Sequence, residues 1–290
     1  MEVIHTVAWM KQVARQARAE DRILGFVPTM GALHEGHFSL VRAARQQCSP
    51  VVVSIFVNPK QFGPSEDFQK YPRTFEPDRA ALEKLGVDYL FAPSPEEIYP
   101  HGFRTAVAVE GLSDRLEGRS RPGHFRGVTT IVLKLFEIIQ PRFAYFGRKD
   151  AQQVRIIQQM AADLDLDTQI VACPIVREPD GLALSSRNMY LKGADRAAAT
   201  VLYRSLDAVR REVAAGQRDA AHLMVALRKV IESEPGVALD YAELVDGETL
   251  EPVVTLRRAC YILLAAFVGG TRLIDNALIE QDGGSFKVSL

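Results

Sequence analysis

Short apolar runs alternate with longer amphipathic ones through the first two thirds of the chain. Strand-like runs at 23–28, 51–57, 89–92, 143–146 and 169–173 are separated by helical periodicity at 38–46, 79–85, 128–139 and 151–163. Such alternation predicts a parallel sheet with helices on both faces. Ligands of such sheets bind beyond the carboxyl ends of the strands, where the strand order reverses. After Asn188 the texture changes, and the pattern predicts helices over 194–215 and 220–233, then short strands over 238–245, 261–267 and 273–280. The expected architecture is therefore α/β: a doubly wound parallel sheet over residues 1–180 and a smaller C-terminal α+β domain over 181–290. Arg177-Glu178-Pro179-Asp180-Gly181 has turn chemistry and marks the boundary. A site shared between two such domains is expected to open and close by hinging, with the smaller one as lid. Gly283-Gly284 reads as a turn.

Composition narrows the class without choosing a function. The chain has 290 residues, 47% hydrophobic and 24% charged, with a formal net charge of -1. That is an ordinary globular balance, long enough for two domains, with no global pull toward nucleic acid or an anionic membrane. The start, Met1 to Thr6, lacks a basic segment followed by an apolar core, and no later run approaches a membrane span. A cytoplasmic location is expected. Cys48, Cys173 and Cys260 form no Cys-x-x-Cys pair, so buried free thiols are expected.

Candidate chemistry gathers in five segments. In the first, the apolar run Ile23–Pro28 enters Thr29-Met30-Gly31-Ala32-Leu33-His34-Glu35-Gly36-His37, a glycine-containing turn with two histidines before a helix expected from Phe38. A helix start points backbone N–H groups and the positive dipole end at the turn, which favours an anion there. By itself the His-x-Gly-His tetrapeptide is also compatible with a satisfied turn or a zinc site, although no clustered Cys or His supplies further ligands. The second segment, Asn58-Pro59-Lys60-Gln61, sets two amides beside a proline-constrained turn. A polar loop, 65–73, follows and reads as a surface segment or a lid. The third, Arg121-Pro122-Gly123-His124-Phe125-Arg126-Gly127, is a basic loop whose arginines suit phosphate, carboxylate, solvent or a subunit contact. The fourth is Gly147-Arg148-Lys149-Asp150, again a turn into a helix, where Lys149 offsets phosphate charge and Asp150 caps the helix or meets a ribose hydroxyl. The fifth is Leu184-Ser185-Ser186-Arg187-Asn188 at the domain junction, read as phosphate ligands or as a serine cap with an exposed arginine.

In order and spacing these segments resemble the pantoate–β-alanine ligases along essentially the whole chain. The two-histidine element alone matches only the wider nucleotidylyltransferase and class I aminoacyl-tRNA synthetase superfamily. The resemblance implies a Rossmann-like ATP- and pantoate-binding domain and a homodimeric cytoplasmic enzyme. Using ATP and magnesium, it would join pantoate to β-alanine on the route to coenzyme A, with neither nucleic acid nor membrane as partner. It implies ATP contacts from Met30, Gly31, Ala32, Leu33, His34, Glu35, Gly36 and His37, and from Gly147, Arg148, Lys149, Asp150, Val176, Leu184, Ser185, Ser186 and Arg187. Pantoate would be held by Gln61 and Gln153, with Gln61 also near β-alanine, and His37 takes the proton-donor position. The residues that would meet the magnesium are left open. Arg148, Leu184 and Ala151 depart from the family pattern, which more often has an acidic or amide residue, a methionine and an aromatic there.

This reading predicts attack of the pantoate carboxylate on the α-phosphorus of ATP, with His34, His37, Lys149, Arg187 and magnesium stabilising phosphate charge. β-Alanine's amine would then attack the acyl-adenylate and release AMP. Two rivals remain: a nucleotidylyltransferase that keeps its adenylylated product, and a non-catalytic nucleotide-binding module that releases no pyrophosphate.

Overall fold

The computed structural model describes residues 1–64 and 66–290. The elements run β1 (Glu2–Ile4), α1 (Val7–Ala19), β2 (Gly25–Thr29), α2 (Glu35–Gln47), β3 (Val51–Ile55), α3 (Phe75–Lys84), β4 (Tyr89–Phe91), α4 (Pro95–Ile98), α5 (Glu117–Ser120), α6 (His124–Ile139), β5 (Phe143–Gly147), α7 (Ala151–Asp163) and β6 (Gln169–Cys173). Then follow α8 (Gly193–Ala198), α9 (Val201–Ala214), α10 (Ala220–Glu232), β7 (Val237–Asp246), β8 (Cys260–Val268), β9 (Thr271–Asp282) and β10 (Ser285–Ser289). Among the described residues no helix is long and apolar enough to cross a membrane.

The first compact unit comprises 1–114, 118–148 and 153–174. Its sheet is wholly parallel in the order β1-β4-β3-β2-β5-β6. From β2 the chain steps to β3 on one side and later returns to β5 on the other, so the order reverses between β2 and β5. The loops leaving those two strands therefore flank the expected ligand edge. Val27, Val51, Val53 and Leu90 from the strands pack with Val41 and Ala44 of α2 and Leu82 of α3. Each fully buried branched side chain contributes about 1.5–3 kcal/mol.

The second unit comprises 115–117, 149–152 and 175–290. Its sheet is antiparallel in the order β10-β9-β8-β7, and Leu206 and Val209 of α9 and Leu223 and Leu227 of α10 join its core. Residues 115–117 belong here because Arg272 grips the Glu117 carboxylate at 2.7 and 2.9 Å, while Gln152 takes the Glu117 N–H and donates to the Arg115 carbonyl.

The predicted α/β architecture holds, and four differences are instructive. The helix expected from Phe38 begins at Glu35, because His34 caps it with an imidazole nitrogen in place of the usual hydroxyl or carboxylate. The helix expected from Val128 begins at His124, after Gly123 in the left-handed region (φ +83°). The helix expected over 194–215 is interrupted at Ala199 and Thr200, whose hydroxyl bonds the Ala197 carbonyl at 2.8 Å. Finally, β1, α1 and β10 add elements beyond those predicted, with Gly283-Gly284 forming the β9–β10 turn. The three cysteines are buried free thiols, and burial pushes Cys260 up to about 11.

Candidate active site

The turn after β2 is built around one buried carboxylate. Thr29 donates from Oγ1 to the Ser54 carbonyl at 2.7 Å and accepts from Gly31 N–H at 3.2 Å. Gly31 and Ala32 both sit in the left-handed region, at φ +82° and +51°. Asp78, 4% exposed on α3, accepts from Ala32 N–H at 2.8 Å, from Leu33 N–H at 2.9 Å and from the Thr74 hydroxyl at 3.0 Å. A Cβ at Gly31 would lie 3.2 Å from both the Asp78 carboxylate and Ile55, in a backbone conformation that side chains avoid. Asp78 is an essential part of this turn that the sequence reading missed. Its place in the first turn of a helix looks like ordinary dipole compensation.

His34 and His37 close the same turn onto α2. Gly36 N–H donates to His34 Nδ1 at 3.2 Å and His34 N–H donates to His37 Nδ1 at 3.4 Å, with ring centroids 4.2 Å apart. Because a backbone N–H can only donate, each Nδ1 is an acceptor, so each neutral ring carries its proton on Nε2. Both imidazoles are thus held as Nε2–H donors. The anion-binding donors expected from the backbone are partly engaged already, at Ala32 and Leu33 by Asp78 and at Gly36 by His34. Donor capacity passes from main chain to the two rings.

The loop after β3 carries the amides. Asn58 is 1% exposed and Gln61 is 9% exposed. Asn58 Oδ1 accepts from Lys60 N–H at 3.2 Å and from the Tyr99 hydroxyl at 2.9 Å. Its Nδ2 donates to the Gly127 carbonyl at 3.1 Å and to Gln61 Oε1 at 3.0 Å. Gln61 Nε2 donates to Met30 Sδ at 3.2 Å, joining this loop to the histidine turn. His124 Nδ1 donates to the Gln61 carbonyl at 2.8 Å, and its Nε2 accepts from Arg121 at 3.2 Å. Arg121, a candidate for external anions, grips the Glu66 carboxylate at 3.0 and 2.6 Å. Burial opposes charge on Glu66, but the Arg121 hydrogen bonds and charge outweigh it and hold the carboxyl below its ordinary 4.5. Ser65 of the polar loop lies outside the described residues. From Glu66 onward the loop is tied down by Arg121 and by Phe68 and Tyr71, whose rings stand 5.3 and 5.9 Å from Phe62.

The remaining candidates sit on two further pieces. At the carboxyl end of β5, Gly147 and Arg148 are half-buried, as is Gln153 in the first turn of α7. In the second unit Lys149 faces the Asp150 carboxylate at 3.9 Å, and Asn276 on β9 donates to the Lys149 carbonyl at 2.9 Å. There too Val176 and Leu184 pair through Leu184 N–H to Val176 O at 3.0 Å, around a turn at Gly181 (φ +93°) packed against Tyr203. Ser185 caps the 3-10 helix Ser186–Tyr190, accepting from Arg187 N–H at 3.2 Å, so the serine-cap reading holds for it. Asp275 pairs Arg177 at 2.7 and 2.9 Å beneath this hairpin. Among the described residues no three His, Cys, Asp or Glu side chains group as a metal cage.

A sequence profile described as pantoate-beta-alanine ligase matches residues 2–278. A pantothenate synthetase of Koribacter versatilis is 54% identical over 98% of both chains, and one of Caldicellulosiruptor bescii is 51% identical over 97% of this chain and 99% of its own. Among solved structures, a pantothenate synthetase from Thermus thermophilus superposes with a TM-score of 0.91 at 46% identity, covering 95% of this chain and 98% of that one. A pantoate-beta-alanine ligase from Francisella tularensis, complexed with beta-gamma ATP and beta-alanine, gives 0.77 at 37% identity, covering 95% and 97%. Two neutral imidazoles at a switch-point turn, a buried amide loop on the next strand and this full-length kinship lead to one conclusion: the chain belongs to the pantoate–β-alanine ligase family, enzymes that join pantoate to β-alanine.

Proposed function

We propose that the chain performs this ligation through a pantoyl adenylate. At neutral pH a carboxylate and an amine form a salt, not an amide, so the carboxylate needs a better leaving group. The pantoate carboxylate oxygen attacks the α-phosphorus of ATP, and the bond to the β-phosphate oxygen breaks, releasing pyrophosphate. The β-alanine amine then attacks the acyl carbonyl, AMP departs, and the amine loses a proton. The observation that carries the reading is the pair of imidazoles locked as Nε2–H donors by backbone N–H groups at the end of β2. Preorganised donors aimed at developing phosphate charge are what phosphoryl-type transition states require.

In this scheme His34 and His37 stabilise phosphate charge as uncharged donors, with Lys149 and Arg187 as cations. Met30 to His37, Gly147 to Asp150, Val176 and Leu184 to Arg187 contact ATP. Gln61 and Gln153 hold pantoate, with Gln61 also near β-alanine. Magnesium enters as part of the substrate, MgATP. The ATP and β-alanine of the Francisella relative support the same substrates here. The family resemblance extends the reading to a cytoplasmic homodimer; light scattering tests its oligomeric state.

Isotope exchange between pyrophosphate and ATP tests the chemistry. Exchange that needs only pantoate, with AMP accumulating only once β-alanine is added, is the expected result. Exchange without pantoate, or AMP formed only in one concerted step with β-alanine, would overturn the adenylate.

A further inference from the structure

The orientation of Gln61 is imposed through Asn58 of its own loop, which is held in turn from the segment at Tyr99 and the first turn of α6. Lys60 N–H can only donate and the Gly127 carbonyl can only accept, so the Asn58 amide between them has one permitted orientation. Its Nδ2 therefore faces Gln61 Oε1, which leaves the Gln61 amide nitrogen as the group presented on the other side, against Met30 Sδ. Thioether sulfur is a weak acceptor, and an oxygen displaces it at little cost. Tyr99 adds the second donor to Asn58 Oδ1 at 2.9 Å. Its ring is set by Phe56 and Phe103, with centroids 6.1 and 5.0 Å away, and burial pushes its phenol up, keeping the hydroxyl protonated and able to donate.

Gly127 contributes through what it lacks. A Cβ there would stand 2.2 Å from the Lys60 carbonyl oxygen and 2.7 Å from Gln61 Cα, both main-chain atoms. The first turn of α6 thus lies against the 58–61 loop, taking Asn58 on the Gly127 carbonyl and holding the Gln61 carbonyl through His124.

We infer that Tyr99 and Gly127 are positioning residues that make Gln61 an obligate hydrogen-bond donor, so that this subsite takes a substrate oxygen with free lone pairs, a hydroxyl or carboxylate oxygen, and rejects a donor-only group. The inference rests on the assignment of Gln61 to pantoate.

Steady-state kinetics on the full-length enzyme separate the two ideas. Gln61→Ala tests the assignment: an unchanged pantoate KM overturns both. Tyr99→Phe deletes one oxygen, and the expected result is a pantoate KM raised about five- to tenfold with the ATP KM within about twofold. Gly127→Ala is expected to raise the pantoate KM further, about tenfold or more, and Tyr99→Phe carries the test if that variant fails to fold. The decisive readout is non-additivity: Tyr99→Phe combined with Gln61→Ala is expected to be no worse for pantoate than Gln61→Ala alone. Gln61→Glu, which cannot donate when ionised, should bind pantoate at least as poorly as Gln61→Ala. A raised KM in Gln61→Ala with no change in Tyr99→Phe, equal effects on pantoate and ATP, or additive losses in the double variant would overturn the positioning role.

Discussion

The loops leaving β2 and β3 are neighbours in one parallel sheet, yet they are held by opposite strategies. The β2 loop is mostly self-contained: its glycine, its left-handed Ala32 and its two imidazoles lie close together in the chain, and a single distant side chain, Asp78, ties down two N–H groups. The β3 loop has local bonds from Asn58 to Lys60 and Gln61, touches Met30 of the β2 loop through Gln61, and depends further on Tyr99, His124 and Gly127 from later in the chain. A loop that recruits its own donors suits an invariant ligand such as a polyphosphate. One held from the segment at Tyr99 and from the first turn of α6 sets the polarity of a single amide.

Breaking the β2 loop should cost most. Asp78→Ala strands one buried N–H group, at Ala32, and one half-buried, at Leu33, so a stability loss of about 1–4 kcal/mol by denaturant unfolding is expected, with turnover falling about 10²-fold or more. Asp78→Asn keeps one acceptor oxygen and should recover part of both. A variant as stable as the parent would show that the turn holds itself.

His37→Ala removes one donor and leaves the Asp78 anchor in place. Turnover should drop about 10²-fold with little change in melting temperature. Near-normal turnover in the folded variant would remove His37 from the chemistry. At the β3 loop, Gln61→Ala is expected to raise the pantoate KM about tenfold while kcat changes less, as loss of a binding contact should.

The smallest effect concerns the Glu66–Arg121 pair behind the β3 loop. Glu66 sits below its ordinary 4.5 when folded, so its contribution is complete above that value and disappears as pH falls through the lower folded one. Glu66→Gln should therefore be less stable than the parent near neutrality, by about 1 kcal/mol, and the gap should close as the pH drops below about 4.5. A gap that is independent of pH would mean that the ion pair contributes nothing through its charge.

The contrast also explains which parts of the molecule could be read in advance. Alternating apolar runs announced every strand from β2 to β6, because burial on both faces of a parallel sheet imposes continuous hydrophobicity. The two histidines were legible as a candidate site because they are close together in the chain at a helix start, although that start lies three residues earlier than expected. Asn58 was legible as a turn residue or an amide donor but not as the group that orients Gln61, since its other partners lie 41 and 69 positions away. Gly127 carried a faint signal, a glycine near a helix start, which packing often explains. Asp78 carried none that sets it apart from the other acids at the start of α3.

Pattern and local chemistry thus settle the α/β class and the family kinship and single out the strand ends that carry the candidate site, since each depends on periodicity or on residues adjacent in the chain. Tertiary structure decides which backbone donors are already engaged, which nitrogen of each imidazole accepts a backbone N–H and which end of the Gln61 amide Asn58 occupies. Those properties belong to hydrogen-bond partners, and the partners are brought together only when the chain has folded.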